Sequence, residues 1–294
     1  MRKLLSLMLV LVLTGSLFIG CAKKEEPVVE TPVVETPGTE EPAVEEPVVA
    51  GEYADGIYFA TEDVFAEGSG WKGVLTLEVV DGKITMVDWN AAHISAGKDK
   101  KTSSIDGDYG MVAKASAQSE WHEQAALVEA YLIENQTFAG INYTDAEGKT
   151  DTIAGVSVTV DDFEALVEKA LSTGPVGTGM YKDGTFYAEE ADFGDSGWKD
   201  SASFTVINGN IVAANWNGIH KDGGKDKKTA SIDGDYGMVA YGKASSEWHE
   251  QAIEVENFLL NTQDVDAITV DAVAGVSISV DGFMGLAKEA LELR

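Results

Sequence analysis

Apolar and polar positions along this chain lay out one set of elements twice. Short β-rich runs come first: Gly56 to Ala60, then Val74 to Val80, then Lys83 to Trp89, the last two joined by Asp81-Gly82. The second set is Gly184 to Ala188, Ser203 to Ile207 and Asn210 to Trp216, with Asn208-Gly209 at the joint. Asp-Gly or Asn-Gly between β-rich runs predicts a two-residue hairpin. A polar, glycine- and lysine-rich loop follows in each copy, and from about Ser119 the apolar period lengthens to that of a helix. Trp121, Ala125, Val128 and Leu132 share one face of that helix, as do Trp248, Ala252, Val255 and Leu259 of its counterpart.

Each set closes on a decapeptide that runs straight into a last short helix. Asp151 to Val160 returns as Asp271 to Val280, and Asp161 and Asp281 are the N-caps predicted for helices through Leu171 and Leu291. Alternation predicts a strand in each decapeptide. It puts Ser157 and Thr159 on one face with Val156, Val158 and Val160 on the other, and treats Ser277 and Ser279 the same way. Two hydroxyls then project just before a helix N-terminus, where backbone N–H groups and the helix dipole favour a phosphate. The plainer reading is a buried strand leading into a helix. Together the elements give an α+β fold class: two tandem repeats, each a largely antiparallel sheet with packed helices.

The duplication is explicit in the residues. Gly70-Trp71-Lys72 matches Gly197-Trp198-Lys199, Ser104 to Val112 matches Ser231 to Val239, and Ser119 to Ala125 matches Ser246 to Ala252. By the decapeptide the spacing has shrunk, so the second copy is shorter around residues 138–150. Each unit of about 120 residues is enough for one core. The predicted domains are residues 51–172 and 181–294, with 173–180 as a linker around Pro175. Ahead of them, Met1-Arg2-Lys3 and the apolar run Leu4 to Ile19 read as an export signal over residues 1–20. It ends at Cys21, the sole cysteine, and resembles a bacterial lipoprotein signal in which that cysteine is lipidated; a plain secretory signal is the alternative. Over the rest of 21–50, Pro27, Pro32, Pro37, Pro42 and Pro47 recur among Glu, Val and Thr. That composition predicts an extended tether reaching up to roughly 90 Å from its anchor.

Composition then narrows the chemistry. A net charge of −29 argues against nucleic acid and against an anionic membrane surface as partners, and favours a basic docking partner. One cysteine rules out a disulfide framework or a cysteine-based cluster within the chain. The lysines of the Gly-Lys-Asp-Lys-Lys-Thr loops (Lys98, Lys100 and Lys101; Lys225, Lys227 and Lys228) could meet a phosphate, or could simply face solvent. Lys101 and Lys228 are the candidate cofactor contacts among them. The four histidines, paired as His93 with His220 and His122 with His249, are thin for a metal site. Trp121 and Trp248 belong to apolar helical faces, whereas Trp71 and Trp198, in glycine-flanked loops, are candidates for stacking on a planar ligand.

With the hairpins, the lysine loops and the decapeptides in hand, each repeat resembles an FMN-binding domain. This is the kind found in flavin subunits of the Rnf complex and sodium-pumping NADH:quinone reductase, and in tandem-domain surface lipoproteins of flavin-based extracellular electron transfer. The family motif reads Asp-x-x-Ser-Gly-Ala-Thr-x-Thr-Ser, and its first threonine takes FMN through a phosphoester installed by a separate flavin transferase. Laid on this chain, Asp151, Gly155 and Thr159 match with Ser157 at the acceptor position. Asp271 and Gly275 match in the second copy, with Ser277 as acceptor and Ser279 as the second hydroxyl. The motif's serine is Ala154 or Ala274 here, its alanine Val156 or Val276, and its last serine Val160 or Val280. The resemblance implies a lipid-anchored flavoprotein outside the cytoplasmic membrane, an electron carrier more than a turnover enzyme. It would take electrons from a membrane quinol-linked donor and pass them to an external acceptor. Beside it stand a non-covalent FMN binder and a non-redox binding or scaffold lipoprotein on degenerate domains.

Overall fold

The computed structural model describes residues 53–269 and 271–292; the signal-like segment, Cys21 and the Pro/Glu tether lie outside them. In the first repeat β1 (Gly56–Thr61), β2 (Trp71–Val80) and β3 (Lys83–His93) form an antiparallel sheet in the order β1-β2-β3. Asp81 and Gly82 both have positive φ, 51° and 70°, as a hairpin turn that follows the strands' own twist requires. The strands outrun the sequence expectation, because β2 and β3 stay paired as far as Trp71 opposite His93. Next come α1 (Lys100–Ile105), α2 (Met111–Ala115), α3 (Trp121–Asn135) and α4 (Asp161–Thr173). The second repeat has β4 (Gly184–Glu189), β5 (Trp198–Ile207), β6 (Asn210–His220), α5 (Lys227–Ile232), α6 (Met238–Gly242), α7 (Trp248–Thr262) and α8 (Asp281–Glu292). The molecule is thus mixed α+β, two three-stranded antiparallel sheets each packed with helices.

In each repeat the two long helices cover one face of the sheet. Trp89 of β3 meets Trp121 of α3 at 5.3 Å and Phe163 of α4 at 4.8 Å between ring centroids. Trp216 meets Trp248 and Phe283 at 5.2 Å each. Burying such aromatic faces with Leu75, Leu77, Val128 and Leu132 supplies the main stabilisation of the repeat. The start of α3 is fixed by reciprocal bonds between Glu120 and Glu123, and Glu247 and Glu250 repeat the device on α7. A smaller apolar cluster joins the repeats: Val74, Ala92 and Ala96 pack with Ile207, Val212 and Ala213. Across it, the Thr205 and Thr185 hydroxyls donate to the Gly97 carbonyl at 2.7 and 3.1 Å. Both repeats belong to one compact unit, Val48–Arg294.

Three expectations are corrected. The decapeptides are not strands: residues 151–160 and 271–280 run as turns and bends. Their backbone groups are satisfied locally, Val156 N–H by the Ile153 carbonyl and Val160 N–H by the Gly148 carbonyl, so no ladder partner is needed. Asp161 is the first residue of α4 rather than its cap; Val160 holds the cap position without a side-chain bond. The lysine-rich loops are helical over α1 and α5, started by Asp99 and Asp226, whose carboxylates accept from the Thr102 and Thr229 N–H groups.

Candidate functional site

The two acceptor serines occupy equivalent and unusual settings. Ser157 is exposed, four residues ahead of α4, yet its backbone is tied to a buried side chain. Gln124, on the inward face of α3, turns its amide oxygen to the Ser157 N–H (2.7 Å), the Val158 N–H (3.2 Å) and the Ser157 hydroxyl (3.2 Å). Its amide nitrogen donates to the Ser119 carbonyl at 3.2 Å. Gln251 repeats every one of these bonds with Ser277, Ile278 and Ser246. Both glutamines are 1% exposed. A wholly buried amide costs stability unless paired, so holding the serine loop is its evident use. Sequence reasoning passed over Gln124 and Gln251. The available signal was a polar residue three positions after Trp121, inside the apolar helical face.

The remaining decapeptide residues surround this anchor. Gly155 and Gly275 adopt φ of 87° and 80°, which a side chain would resist, and so allow the loop to turn ahead of the serines. Asp151 and Asp271 are exposed, and Asp151 accepts from the Asn142 amide at 3.3 Å. Thr159 is half-buried and Ser279 exposed. The helix start behind Ser157 is acidic, with Asp161, Asp162 and Glu164 in the first turn of α4, whereas Asp281 is the acid in the first turn of α8. Those carboxylates already complement the dipole of α4, and the Ser157 and Val158 N–H groups are taken by Gln124. The anion site expected at that helix start is therefore occupied by the protein's own groups.

The lysines clustered in sequence go separate ways in the fold. Lys101 pairs with Asp88 at 2.5 Å and Glu129 at 2.6 Å; Lys228 pairs with Glu256 at 2.7 Å and reaches the Asn215 amide oxygen at 2.7 Å. Glu129 and Glu256 also accept the backbone N–H of Trp89 and Trp216. Burial pushes both glutamates above the usual carboxylate range, and their lysines oppose that shift. Lys98 is held by Asp106 and Asp108, and Lys225 by Asp233 and Asp235. Lys100 instead turns inward under the rings of Trp71, Tyr109 and Trp121, 4.6 to 5.8 Å from their centroids. Burial draws its ammonium down to about 8.

Trp71 stands edge-on to His93 at 5.0 Å and to Tyr109 at 5.9 Å, and Trp198 does the same with His220 and Tyr236. Each trio borders an open cavity, about 550 Å³ beside Trp71 and 570 Å³ beside Trp198, rimmed by Lys98 or Lys225. Ser157 and Ser277 do not line these cavities. His122 and His249 are engaged by the Ser104 and Ser231 hydroxyls at 2.9 Å. Among the described residues no group of three or more His, Cys, Asp or Glu side chains is placed to hold a metal ion, and no helix is long and apolar enough to cross a membrane.

Compared with known proteins, the chain is 29% identical over 110 residues to the 15 kDa lipoprotein of Treponema pallidum (strain Nichols), spanning 37% of this chain and 74% of that protein. Two solved structures are also similar. A solution NMR structure from Clostridium thermocellum shares 50% identity over 40% of this chain and 90% of its own, with a TM-score of 0.33. A crystal structure from Clostridium perfringens shares 25% identity over 42% of this chain and 88% of its own, also with a TM-score of 0.33. No family model matches the chain.

Proposed function

We propose that this chain is a lipid-anchored flavoprotein that carries electrons outside the cytoplasmic membrane, with FMN esterified at Ser157 and Ser277 and the lipid on Cys21. The anchor is supported by the cysteine-terminated signal and by similarity to a protein named as a lipoprotein. One observation carries the flavin reading: two exposed serines, at equivalent places in two repeats, are held alike by buried glutamines. The glutamine anchor is compatible with a phosphoester on the exposed serine oxygen, with the acids of α4 opposing it at Ser157. Esterification removes the serine hydroxyl proton, but the Gln124 oxygen keeps two backbone N–H donors and is not left unpaired. The serine oxygen would displace the leaving group of an activated flavin nucleotide, its proton passing to a base of the flavin transferase.

Bound FMN supplies the redox chemistry through its isoalloxazine ring. The chain's own part is to hold the acceptor loop in place through Gln124 and Gln251; the Trp71 and Trp198 cavities are not lined by the serines. Lys101 and Lys228 remain in their ion pairs. A membrane quinol-linked donor and an external acceptor complete the path, and the −29 charge favours docking on basic partner surfaces.

The test is flavin fluorescence of the denatured protein in a gel, after export and co-expression with a flavin transferase. Wild type should fluoresce, Ser157→Ala and Ser277→Ala should each dim the band, and the double variant should abolish it. Ser277→Ala should dim it more, because an ester at Ser157 adds negative charge beside Asp161, Asp162 and Glu164. A dark wild-type band, from a host that loads a threonine-motif control, would sink the covalent reading.

A further inference from the structure

The two repeats differ in charge beneath the aromatic cluster. In the second, the Asp200 carboxylate on β5 accepts from the Lys227 ammonium at 2.9 and 3.0 Å and from the Trp216 indole N–H at 3.1 Å. Asp200 and Lys227 are both buried. The first repeat keeps both donors, as Lys100 and Trp89, but has Gly73 where the second has Asp200. Among the described residues neither the Lys100 ammonium nor the Trp89 indole N–H has a protein hydrogen-bond acceptor, and neither is sealed from solvent. At this place lies a cavity of about 140 Å³, bordered by Glu62, Gly73, Trp89, Lys100, Trp121 and Asp162. At about 30 Å³ per water it has room for a few waters or one small organic ion.

We propose that this cavity binds a small monocarboxylate anion, of formate to acetate size, with its carboxylate where that of Asp200 stands in the second repeat. Lys100 and Trp89 supply the donors that Lys227 and Trp216 give to Asp200. The rings around Lys100 offset part of its charge, yet leave its N–H groups to water or to an anion. Glu62 does not forbid an anion. Its counterpart Glu190 takes the Asp200 N–H at 2.9 Å just as Glu62 takes the Gly73 N–H at 2.6 Å, so the second repeat keeps a carboxylate beside this glutamate. The added negative group is Asp162, which faces the cavity where the second repeat has Gly282; a Cβ at Gly282 would stand 3.8 Å from Glu190 Oε1. Asp162 therefore holds the affinity down, and its removal raises it. The charges facing Lys100 are those of Glu62 and Asp162, with the neutral Tyr109 phenol beside them. Without the anion, burial draws the Lys100 ammonium down to about 8; a bound carboxylate raises it, so the anion is lost at a higher pH, where the ammonium deprotonates.

The experiment titrates the full chain with sodium acetate against sodium chloride at matched ionic strength, reading tryptophan fluorescence. Acetate should give a saturable change that chloride does not. Asp162→Gly should tighten binding several-fold, and Lys100→Met should weaken it at least tenfold. A change equal in wild type and Lys100→Met, or no saturable change in either wild type or Asp162→Gly, overturns the proposal. Should Lys100→Met fail to fold, the mirror variant Asp200→Gly decides. It opens the same room in the second repeat, so acetate must raise its melting temperature more than that of wild type; an equal rise overturns the proposal.

Discussion

Lys228 lets the fold be tested against the sequence expectation, because each assigns it a different task. Its ammonium donates to both oxygens of Glu256, at 2.7 and 3.0 Å, and Glu256 is also the acceptor of the Trp216 N–H. The carboxylate side chain is 7% exposed. Lys228→Met keeps the aliphatic stem and deletes the charge, leaving a buried carboxylate unpaired, at a cost of about 3–5 kcal/mol. At about 2–4 °C per kcal/mol for a unit of this size, the melting temperature should fall by roughly 10 °C. Burial already raises the Glu256 carboxyl, so the loss is governed by a group whose folded pKa lies above its unfolded value. The penalty is therefore small near the unfolded glutamate value of about 4.3 and grows as pH rises through the folded value. Urea denaturation at pH 5 and pH 8 should show the larger deficit at pH 8. Adding Glu256→Gln should restore most of it, because the amide oxygen still accepts the Trp216 N–H without a charge to bury. A Lys228→Met protein within 1 kcal/mol of wild type, or a double variant no better than the single, refutes the reasoning.

Three further outcomes follow from single contacts. Thr76 Oγ1 is buried without a hydrogen-bond partner, so the isosteric Thr76→Val should stabilise by about 1 kcal/mol in thermal denaturation. Gln124→Leu strands the Ser157 and Val158 N–H groups; it should cost about 2 kcal/mol and lower flavin fluorescence at Ser157 while leaving Ser277 loaded. Burial draws Lys72 and Lys100 down to about 8, below their unfolded value. Their contribution is present above the unfolded lysine value of about 10.4 and lost as pH falls through 8, so stability from these groups climbs across that window, by at most about 3 kcal/mol each. Chemical denaturation of Lys72→Met and Lys100→Met should show a flatter climb than wild type.

What the sequence disclosed depended on how local the cause was. Asp81-Gly82 and Asn208-Gly209 announce their hairpins because the turn is set by two residues that tolerate positive φ. The buried face of α3 is legible because Trp121, Ala125, Val128 and Leu132 repeat at the helix period. The decapeptides misled because alternation reports where side chains point and not where backbone groups find partners. Val156 and Val160 bond to turn carbonyls, and Ser157 to a glutamine on another helix. The lysines misled for the same reason. Nothing adjacent to Lys101 reveals Glu129, which the fold brings to 2.6 Å.

The internal duplication extends what can be read, provided the fold is used to pair the positions. Gly73 against Asp200 looks like an isolated difference on a strand, and Asp162 against Gly282 another on a helix far along the chain. The structure puts Gly73 and Asp162 on the border of one cavity, with Lys100 between two histories of the same charge. In the second repeat the carboxylate sits on the strand and bonds the lysine; in the first it sits on the helix, beyond bonding range. Each repeat keeps a compensating carboxylate nearby, but only the second closes the contact. The duplicated chain thus holds one lysine locked and the other open, and that asymmetry gives two otherwise equivalent domains different electrostatic surroundings.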